Sequence, residues 1–358
     1  MPDTALLGDV RVVDFSQFLP GPYATHLMAT LGADVVKIEP PGGDPMRKLL
    51  CPDGEALSPL YRQVNAGKTI LFRDLKCPAD RDQVKALLSR SHVMLNGYRP
   101  GVMDRLGLSA GVLEDINPGL VHCHLSGFGA TGPYRFKAGH DINYCALAGL
   151  YSFHDEDRFP EMAFPLLADH VGALQAVNAI LAALYRREKT GQGCHLDISL
   201  YETLFSWQST DRLQGVRSLL TGGAACYNMY RTADQRILTL GALEEKFWKR
   251  FCRAIGQPGL AVRHADPIPQ LALISRIREI IAGRPAAAWE NRFREIDCCV
   301  QLVPLPDEIT MHDHSLSRGV LEGDQVHYPG KIDGFGTPPL PACRDSDRNE
   351  SFEWKTTR

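Results

Sequence analysis

Three acid–base side chains stand out by their settings. His140 lies in Gly139-His140-Asp141-Ile142-Asn143-Tyr144, where a glycine-flanked loop, Gly127 to Gly139, runs into an apolar-periodic segment. A neutral imidazole at a helix start suits general-base work near neutral pH, because the helix N-terminus disfavours its cation. On residue types alone the same segment also reads as a helix cap in which Asp141 bonds the first amides. Asp169 ends the apolar run Phe164-Pro165-Leu166-Leu167-Ala168-Asp169, just before a long helical pattern. A carboxylate fixed by a rigid helix in a partly apolar cleft can be a base or a nucleophile, and a plain N-cap is the competing reading. Glu244 opens a further helix in Gly241-Ala242-Leu243-Glu244. An acid in a first helical turn is expected from the helix dipole and by itself says little.

A second group of residues suits an anionic ligand. Asn96-Gly97-Tyr98-Arg99-Pro100-Gly101, followed by Asp104-Arg105, places a glycine, an aromatic ring and two arginines after a strand. Such a loop can seat an adenine and its phosphates, the arginines giving bidentate charge-assisted bonds; a solvated turn is the plain alternative. The first strand–helix loop, Ser16-Gln17-Phe18-Leu19-Pro20-Gly21-Pro22, is no dinucleotide fingerprint although Glu39 ends the next strand. Pro20 and Pro22 have no N–H for a pyrophosphate, so a nicotinamide or flavin is not expected. His122 and His124 share one strand face with Cys123 on the other, and without a third ligand nearby they read as strand packing rather than a metal site.

The elements that must position these groups alternate. Strands are predicted at Val10–Phe15, Asp34–Ile38, Thr69–Phe72, His92–Leu95, Leu120–Leu125 and His195–Ser199. Helices are predicted at Tyr23–Leu31, Asp80–Leu88, Asp141–Gly149 and His170–Arg187. Alternation of this kind predicts an α/β domain with a parallel sheet covered by helices, over residues 1–207. After a linker at 208–225, which contains Thr221-Gly222-Gly223-Ala224, the pattern becomes that of a smaller α+β domain over 226–328. It comprises a strand at Arg236–Leu240 and helices at Glu244–Ile255, Pro269–Ala282 and Pro285–Ile296. The Pro- and Gly-rich segment from Pro329 is expected to run over the surface of another domain or subunit, and 329–358 to complete the large domain.

Composition narrows the function classes. The 358 residues are 44% hydrophobic and 23% charged, ordinary globular values. A formal charge of −3 from 39 basic and 42 acidic residues gives no support to general nucleic-acid or membrane-surface binding. The acid Asp3 and the lack of a basic-then-apolar start argue against a secretory signal. Val171–Tyr185, interrupted by Gln175 and Asn178, reads as too short to span a bilayer. Ten scattered cysteines without a CxxC pair read as reduced thiols of a cytoplasmic protein.

Taken together, these segments resemble a known family. LLGDVRVVDFSQFLPGPYATHLMATLGADVVKIEPPGGDPMR at the start, GYRPGVMDRLGL at 97–108, HLSGFGATGP at 124–133, AGHDINY at 138–144 and the Asp169 helix through REKTGQG are similar to the family III CoA-transferases (CaiB/BaiF). That superfamily includes acyl-CoA racemases as well as CoA-transferases. AGHDINY and GGAACYNMYRTADQRILTLGALEEKFW are closer to the racemase branch.

The resemblance implies a Rossmann-like large domain, a smaller α+β domain and an interlocked homodimer, with the active site between the large domain of one subunit and the small domain of its partner. It implies His140 as a histidine base, Asp169 as a carboxylate base or, in transferases, the nucleophile, and Glu244 as the acid that partners His140 across the interface. It further implies CoA contacts from Arg73, Asp74, Leu75 and Lys76 of FRDLK, from Gly97, Tyr98, Arg99 and Arg105, and from Gly139, Asp141 and Tyr144. Racemases usually carry an arginine where this chain has Pro40, so Lys37 or Lys68 is expected to take over that phosphate contact. Asp169-His170-Val171-Gly172 is bulkier than the glycine-rich turn of racemases, which leaves a transferase open.

The expected chemistry is α-proton transfer on a 2-methylacyl-CoA of fatty-acid metabolism, with coenzyme A as part of the substrate and no permanent cofactor. Amides at the helix starts near His140 or Asp169 are the expected donors to an enolate oxygen. Phe18, Leu19, Tyr151, Phe153 and Met162–Leu167 are candidates to line an apolar acyl pocket.

Overall fold

The computed structural model describes residues 5–152, 160–207, 218–323, 325–332, 339–346 and 352–354 of the chain. Contacts divide it into two compact units, residues 1–208 with 318–358 and residues 209–317. The segment 318–328 thus goes with the first unit, where the sequence texture placed it with the smaller domain.

In the first unit strand and helix alternate as the apolar pattern requires. The order is β1 (Arg11–Asp14), α1 (Pro20–Thr30), β2 (Asp34–Glu39), α2 (Pro59–Asn65), β3 (Thr69–Phe72), α3 (Pro78–Leu88), β4 (Val93–Asn96), α4 (Val102–Arg105), α5 (Ala110–Ile116), β5 (Val121–Ser126), α6 (Asp141–Leu147), α7 (Leu167–Thr190), β6 (Cys194–Ser199) and α8 (Leu200–Trp207). Pro20, Pro59 and Pro78 sit at the first helical position, where a missing N–H costs nothing. With a C-terminal strand β12 (Arg344–Ser346), the sheet runs β12-β3-β2-β1-β4-β5-β6, and every pair is parallel. Strand order reverses between β1 and β4. Their carboxyl ends therefore place the loop after β1 beside the loop after β4, at the crevice where open α/β sheets take ligands. The Phe15 N–H donates to Leu95 O at 2.8 Å there.

Period-two alternation fills both faces of the sheet. Val12, Val35, Val93, Leu95, Val121, Cys123 and Leu125 pack with residues of α1, α6 and α7. On the other face Val13, Val36, Leu71 and Met94 pack with residues of α3 and α5. On β5 that second face carries His122 and His124 instead of apolar side chains.

Two expectations are corrected here. The C-terminal tail does not merely cross a surface: Arg344–Ser346 pair with Thr69–Leu71, and Trp354 is buried in the α3/α5 core. Three polar residues carry no strand pattern; beside the main-chain ladder, Arg47 holds Asp345 with two side-chain bonds, at 3.0 and 2.8 Å. The helix read as too short to span a bilayer is 24 residues long and apolar enough by length and composition to cross one, yet half of that window is buried within the fold. Its buried residues form a continuous side from Ala168 to Leu184.

The second unit has an antiparallel sheet of β7 (Tyr227–Arg231), β8 (Ile237–Gly241) and β9 (Val300–Leu302), in that order. Helices α9 (Glu245–Ala254), α10 (Leu271–Ala282) and α11 (Ala286–Phe293) contribute Trp248, Phe251, Ile277, Trp289 and Phe293 to its core. Of the expected linker, 208–217 lies outside the described residues, and Leu219–Gly223 begins as a helical turn that breaks at Thr221 and Gly222, whose backbone is not helical. A two-residue hairpin, β10 (Leu321–Glu322) with β11 (Gln325–Val326), belongs to the first unit. All ten cysteines are free thiols.

Candidate functional site

The start of α6 is built around Tyr144. Its hydroxyl donates to Gly139 O at 2.6 Å, and burial pushes the phenol up to about 12. A Cβ at Gly127 would lie 2.5 Å from this ring, and one at Gly139 2.8 Å. Both glycines are therefore required by close approach. Tyr144 is thus a clamp on the loop that ends at Gly139 and delivers His140, which stands extended just before the helix. The His140 N–H donates to Asn143 Oδ1 at 3.0 Å, while its side chain is exposed. The ring of Phe18 meets the His140 imidazole edge to face, with centroids 6.1 Å apart. Phe18 is held at a left-handed φ of 62° in the loop after β1, and its neighbour Leu19 is buried in the core, so only Phe18 of that pair can face a ligand.

Asp141 corrects the sequence reading twice. Its carboxylate neither caps its own helix nor is open to solvent, where a ligand could reach it. It is 4% exposed; Oδ1 accepts the Asp169 N–H at 3.0 Å, and Oδ2 accepts from Cys145 Sγ at 3.4 Å. The start of α6 is thereby tied to the start of α7. Asp169, in the first turn of α7, is pushed up to about 7 by burial and then by the Asp141 carboxylate. Its own amide is engaged, so it is not the oxyanion donor expected there. His170 turns away, its Nδ1 2.6 Å from Leu166 O and its ring against Tyr23.

The remaining predicted ligand contacts separate into buried and exposed groups. Lys37 and Lys68 do not stand as phosphate contacts. Both ammonium groups are buried beneath the loop after β1. Lys37 Nζ donates to Asp44 Oδ2 at 2.6 Å and Asn65 Oδ1 at 3.3 Å. Lys68 Nζ donates to Pro22 O at 2.8 Å, Asn65 Oδ1 at 3.1 Å and Asp14 Oδ2 at 3.3 Å. Burial pulls Lys68 down to about 8. Asp14 also accepts from Ser16 and Thr25, both at 2.5 Å, and Asp44 Oδ1 accepts the Phe18 N–H at 3.3 Å. The network is scaffold: a buried ammonium needs such partners, and here they fix the loop carrying Phe18.

Arg73 is also buried, with one guanidinium nitrogen donating to Phe72 O at 2.8 Å, and Leu75 is in the core. Asp74 shapes the turn, its Oδ1 accepting the Lys76 N–H at 3.0 Å. Within FRDLK, Lys76 has the exposed cation.

Gly97, Arg99 and Arg105 are exposed, with Tyr98 half-buried between them. Asn96, Arg99, Gly101, Asp104, His124 and His195 line a cavity of about 210 Å³ beside this loop. Sequence reading missed what holds the loop. Asn96 Oδ1 accepts the Tyr98 N–H at 3.3 Å, and His124 Nε2 lies 2.7 Å from Tyr98 O. Register places His122 beside His195 and His124 beside Asp197. The alternating His-x-His on β5 and His-x-Asp on β6 was the available signal. As expected, Cys123 points to the opposite face, in the apolar core. Among the described residues, no group of three or more His, Cys, Asp or Glu is placed to hold a metal ion.

Glu244 lies in the second unit, immediately before α9, with its side chain exposed and its carbonyl accepting from Phe247 and Trp248 N–H. Met162, Phe164 and Leu166 are exposed, Tyr151 is partly buried, and Phe153 lies outside the described residues.

The chain is similar to known proteins in sequence and in fold. The family model described as CoA-transferase family III matches residues 7–341. Over 357 residues the chain is 32% identical to alpha-methylacyl-CoA racemase of Homo sapiens, covering 94% of this chain and 89% of that protein. It is 34% identical over 265 residues to succinyl-CoA--D-citramalate CoA-transferase of Chloroflexus aurantiacus, covering 71% and 66% respectively. A CAIB/BAIF family protein from Brucella suis has the same fold, with a TM-score of 0.79, 23% identity and coverage of 95% of each chain. A family match across nearly the whole chain, on a parallel sheet with its candidate acid–base groups at the starts of α6 and α7, identifies the chain as a member of CoA-transferase family III.

Proposed function

We propose that this enzyme epimerises C2 of a 2-methylacyl-CoA by two-base proton transfer, with His140 and Asp169 on opposite faces of the α-carbon. The observation that carries the reading is the setting of Asp169. A half-buried carboxyl held near 7 beside a second carboxylate exchanges a proton readily near neutral pH. Near neutral pH both the protonated and the ionised form are then present, as a group that alternately takes and returns a proton requires, whereas a nucleophile uses the ionised form alone.

In this reaction one base takes the α-proton and the thioester carbonyl becomes an enolate; the conjugate acid of the other base returns a proton to the opposite face. Each positioned transfer contributes about 10² to 10⁴ in rate. With the Asp169 amide engaged by Asp141, the start of α6 is left as the main-chain donor region for the enolate oxygen. Arg99, Arg105 and Lys76 bind the CoA phosphates, Phe18 and Met162–Leu166 border the acyl chain, and Glu244 from a second copy assists His140.

The alternative is CoA transfer, in which Asp169 attacks an acyl-CoA, expelling CoA thiolate to give a mixed anhydride; the thiolate attacks the aspartyl carbonyl, releasing the donor acid and leaving an aspartyl-CoA thioester, and an acceptor acid takes the CoA by the reverse steps. The 34% identity to a CoA-transferase supports that reading. Incubation of a 2-methylacyl-CoA with the enzyme in D₂O separates them. Deuterium at C2 with loss of stereochemical purity is expected; CoA transfer to a free acid without C2 exchange would refute racemisation. Light scattering is expected to give a dimer.

A further inference from the structure

On β5, His124 is 6% exposed and lies between two loops. One is the loop after β4 with Tyr98 and Arg99; the other runs from Gly127 to Gly139 and delivers His140. Tyr98 O can only accept, so His124 Nε2, 2.7 Å away, carries the proton and donates. His124 Nδ1 lies 3.4 Å from Asp197 Oδ1 on β6, a charge contact that holds in the imidazolium, which carries a proton on both nitrogens. The two oxygens of Asp197 in turn accept the Ala130 N–H, at 3.1 and 3.0 Å. The chain Tyr98–His124–Asp197–Ala130 therefore joins both loops through one imidazole and one carboxylate. Its base is firm, because His124 and Asp197 are register partners on adjacent strands.

We infer that His124 is a positioning residue that couples ligand binding at the Gly97–Gly101 loop to the placement of the Gly127–Gly139 loop, and so of His140. The inference rests on the reading of Arg99 as a CoA contact. A CoA phosphate drawn to Arg99 restrains Tyr98, the imidazole transmits that restraint to Asp197, and Asp197 fixes Ala130. Nothing in the chain needs His124 or Asp197 to touch the substrate.

Amide hydrogen exchange by mass spectrometry, with and without CoA, tests this directly. Asp197→Ala removes the acceptor for Ala130 and is expected to speed exchange severalfold in the 127–139 segment and also in 97–101, which Asp197 does not touch. Two further variants divide the imidazole. His124→Gln keeps a donor near the Nε2 position and is expected to hold 97–101 and the CoA affinity while loosening 127–139. His124→Asn keeps a polar group near the Nδ1 position and is expected to do the reverse. In the parent enzyme CoA is expected to slow exchange in both segments, and in His124→Gln only in 97–101.

If Asp197→Ala loosens 127–139 alone, or if the Gln and Asn variants behave alike, the coupling is overturned. If CoA protects neither segment in the parent enzyme while Asp197→Ala still loosens both, the tie stands and the CoA assignment fails. The thermal midpoint of each variant, measured alongside, identifies any that is merely unfolded; the Gln and Asn pair carries the test if Asp197→Ala does not fold.

Discussion

Asp141 Oδ1 accepts the main-chain N–H of Asp169 at 3.0 Å, so the residue after the candidate histidine base holds the start of the helix that carries the candidate carboxylate base. This bond joins α6 to α7 across a buried position, and it places a second carboxylate next to Asp169. The proton affinity of Asp169 is raised first by burial and then by this neighbour. Asp141 thus bears on the position of Asp169 and, after burial, on its proton affinity.

Asp141→Asn keeps an oxygen that can accept the Asp169 amide and removes the negative charge. Without that charge the ionised form of Asp169 is favoured, so its midpoint is expected to fall below about 7, by on the order of one unit. The pH dependence of C2 deuterium exchange reports it. An unmoved midpoint would mean that Asp141 has no electrostatic part in the site.

Asp169 also makes a prediction about stability. Its carboxyl is raised from 3.8 to about 7 in the fold, so between those values the folded chain holds a proton that the unfolded chain has released. Stability from this group is therefore complete below about pH 4 and is lost as pH rises through about 7. Asp169→Asn lacks this loss, and its advantage over the parent is expected to grow across that window to on the order of 4 kcal/mol, then stay level. Urea unfolding at several pH values measures the difference, and a constant difference from pH 4 to 8 would count against the raised value.

Much of this arrangement is legible before folding, and the exceptions have physical causes. β3 has the limits its apolar run predicts, Thr69–Phe72, and α6 starts at the predicted Asp141. His122 and His124 follow strand alternation onto one face. The interactions that define the site do not follow from local pattern. Tyr98, His124 and Asp197 lie on three separate segments, and only the order β4-β5-β6 brings them together. Lys37 and Lys68 resemble surface cations until Asp14, Asp44 and Asn65 close around them. β7, β9 and β12 are too short or too polar to signal themselves, and pairing makes them strands.

That burial distinguishes scaffold lysines from ligand lysines in solution. Lys68→Met removes one partner of a buried ion pair and is expected to cost about 3–5 kcal/mol. Lys76→Ala is expected to leave the thermal midpoint unchanged and weaken CoA binding severalfold. Calorimetric titration with CoA and thermal unfolding of the two variants check this; a stable Lys68→Met protein with weakened CoA affinity would restore Lys68 as a phosphate contact.

The two-base assignment is tested most directly by following C2 exchange from each epimer separately in His140→Ala. The account predicts that one epimer still exchanges its α-proton through Asp169, without inversion, while exchange from the other and all interconversion are abolished; any CoA-transfer activity retains more than tenfold more of its rate (an order-of-magnitude threshold for separate roles). Interconversion at the parent rate, or equal loss of epimerisation and CoA transfer, would contradict it.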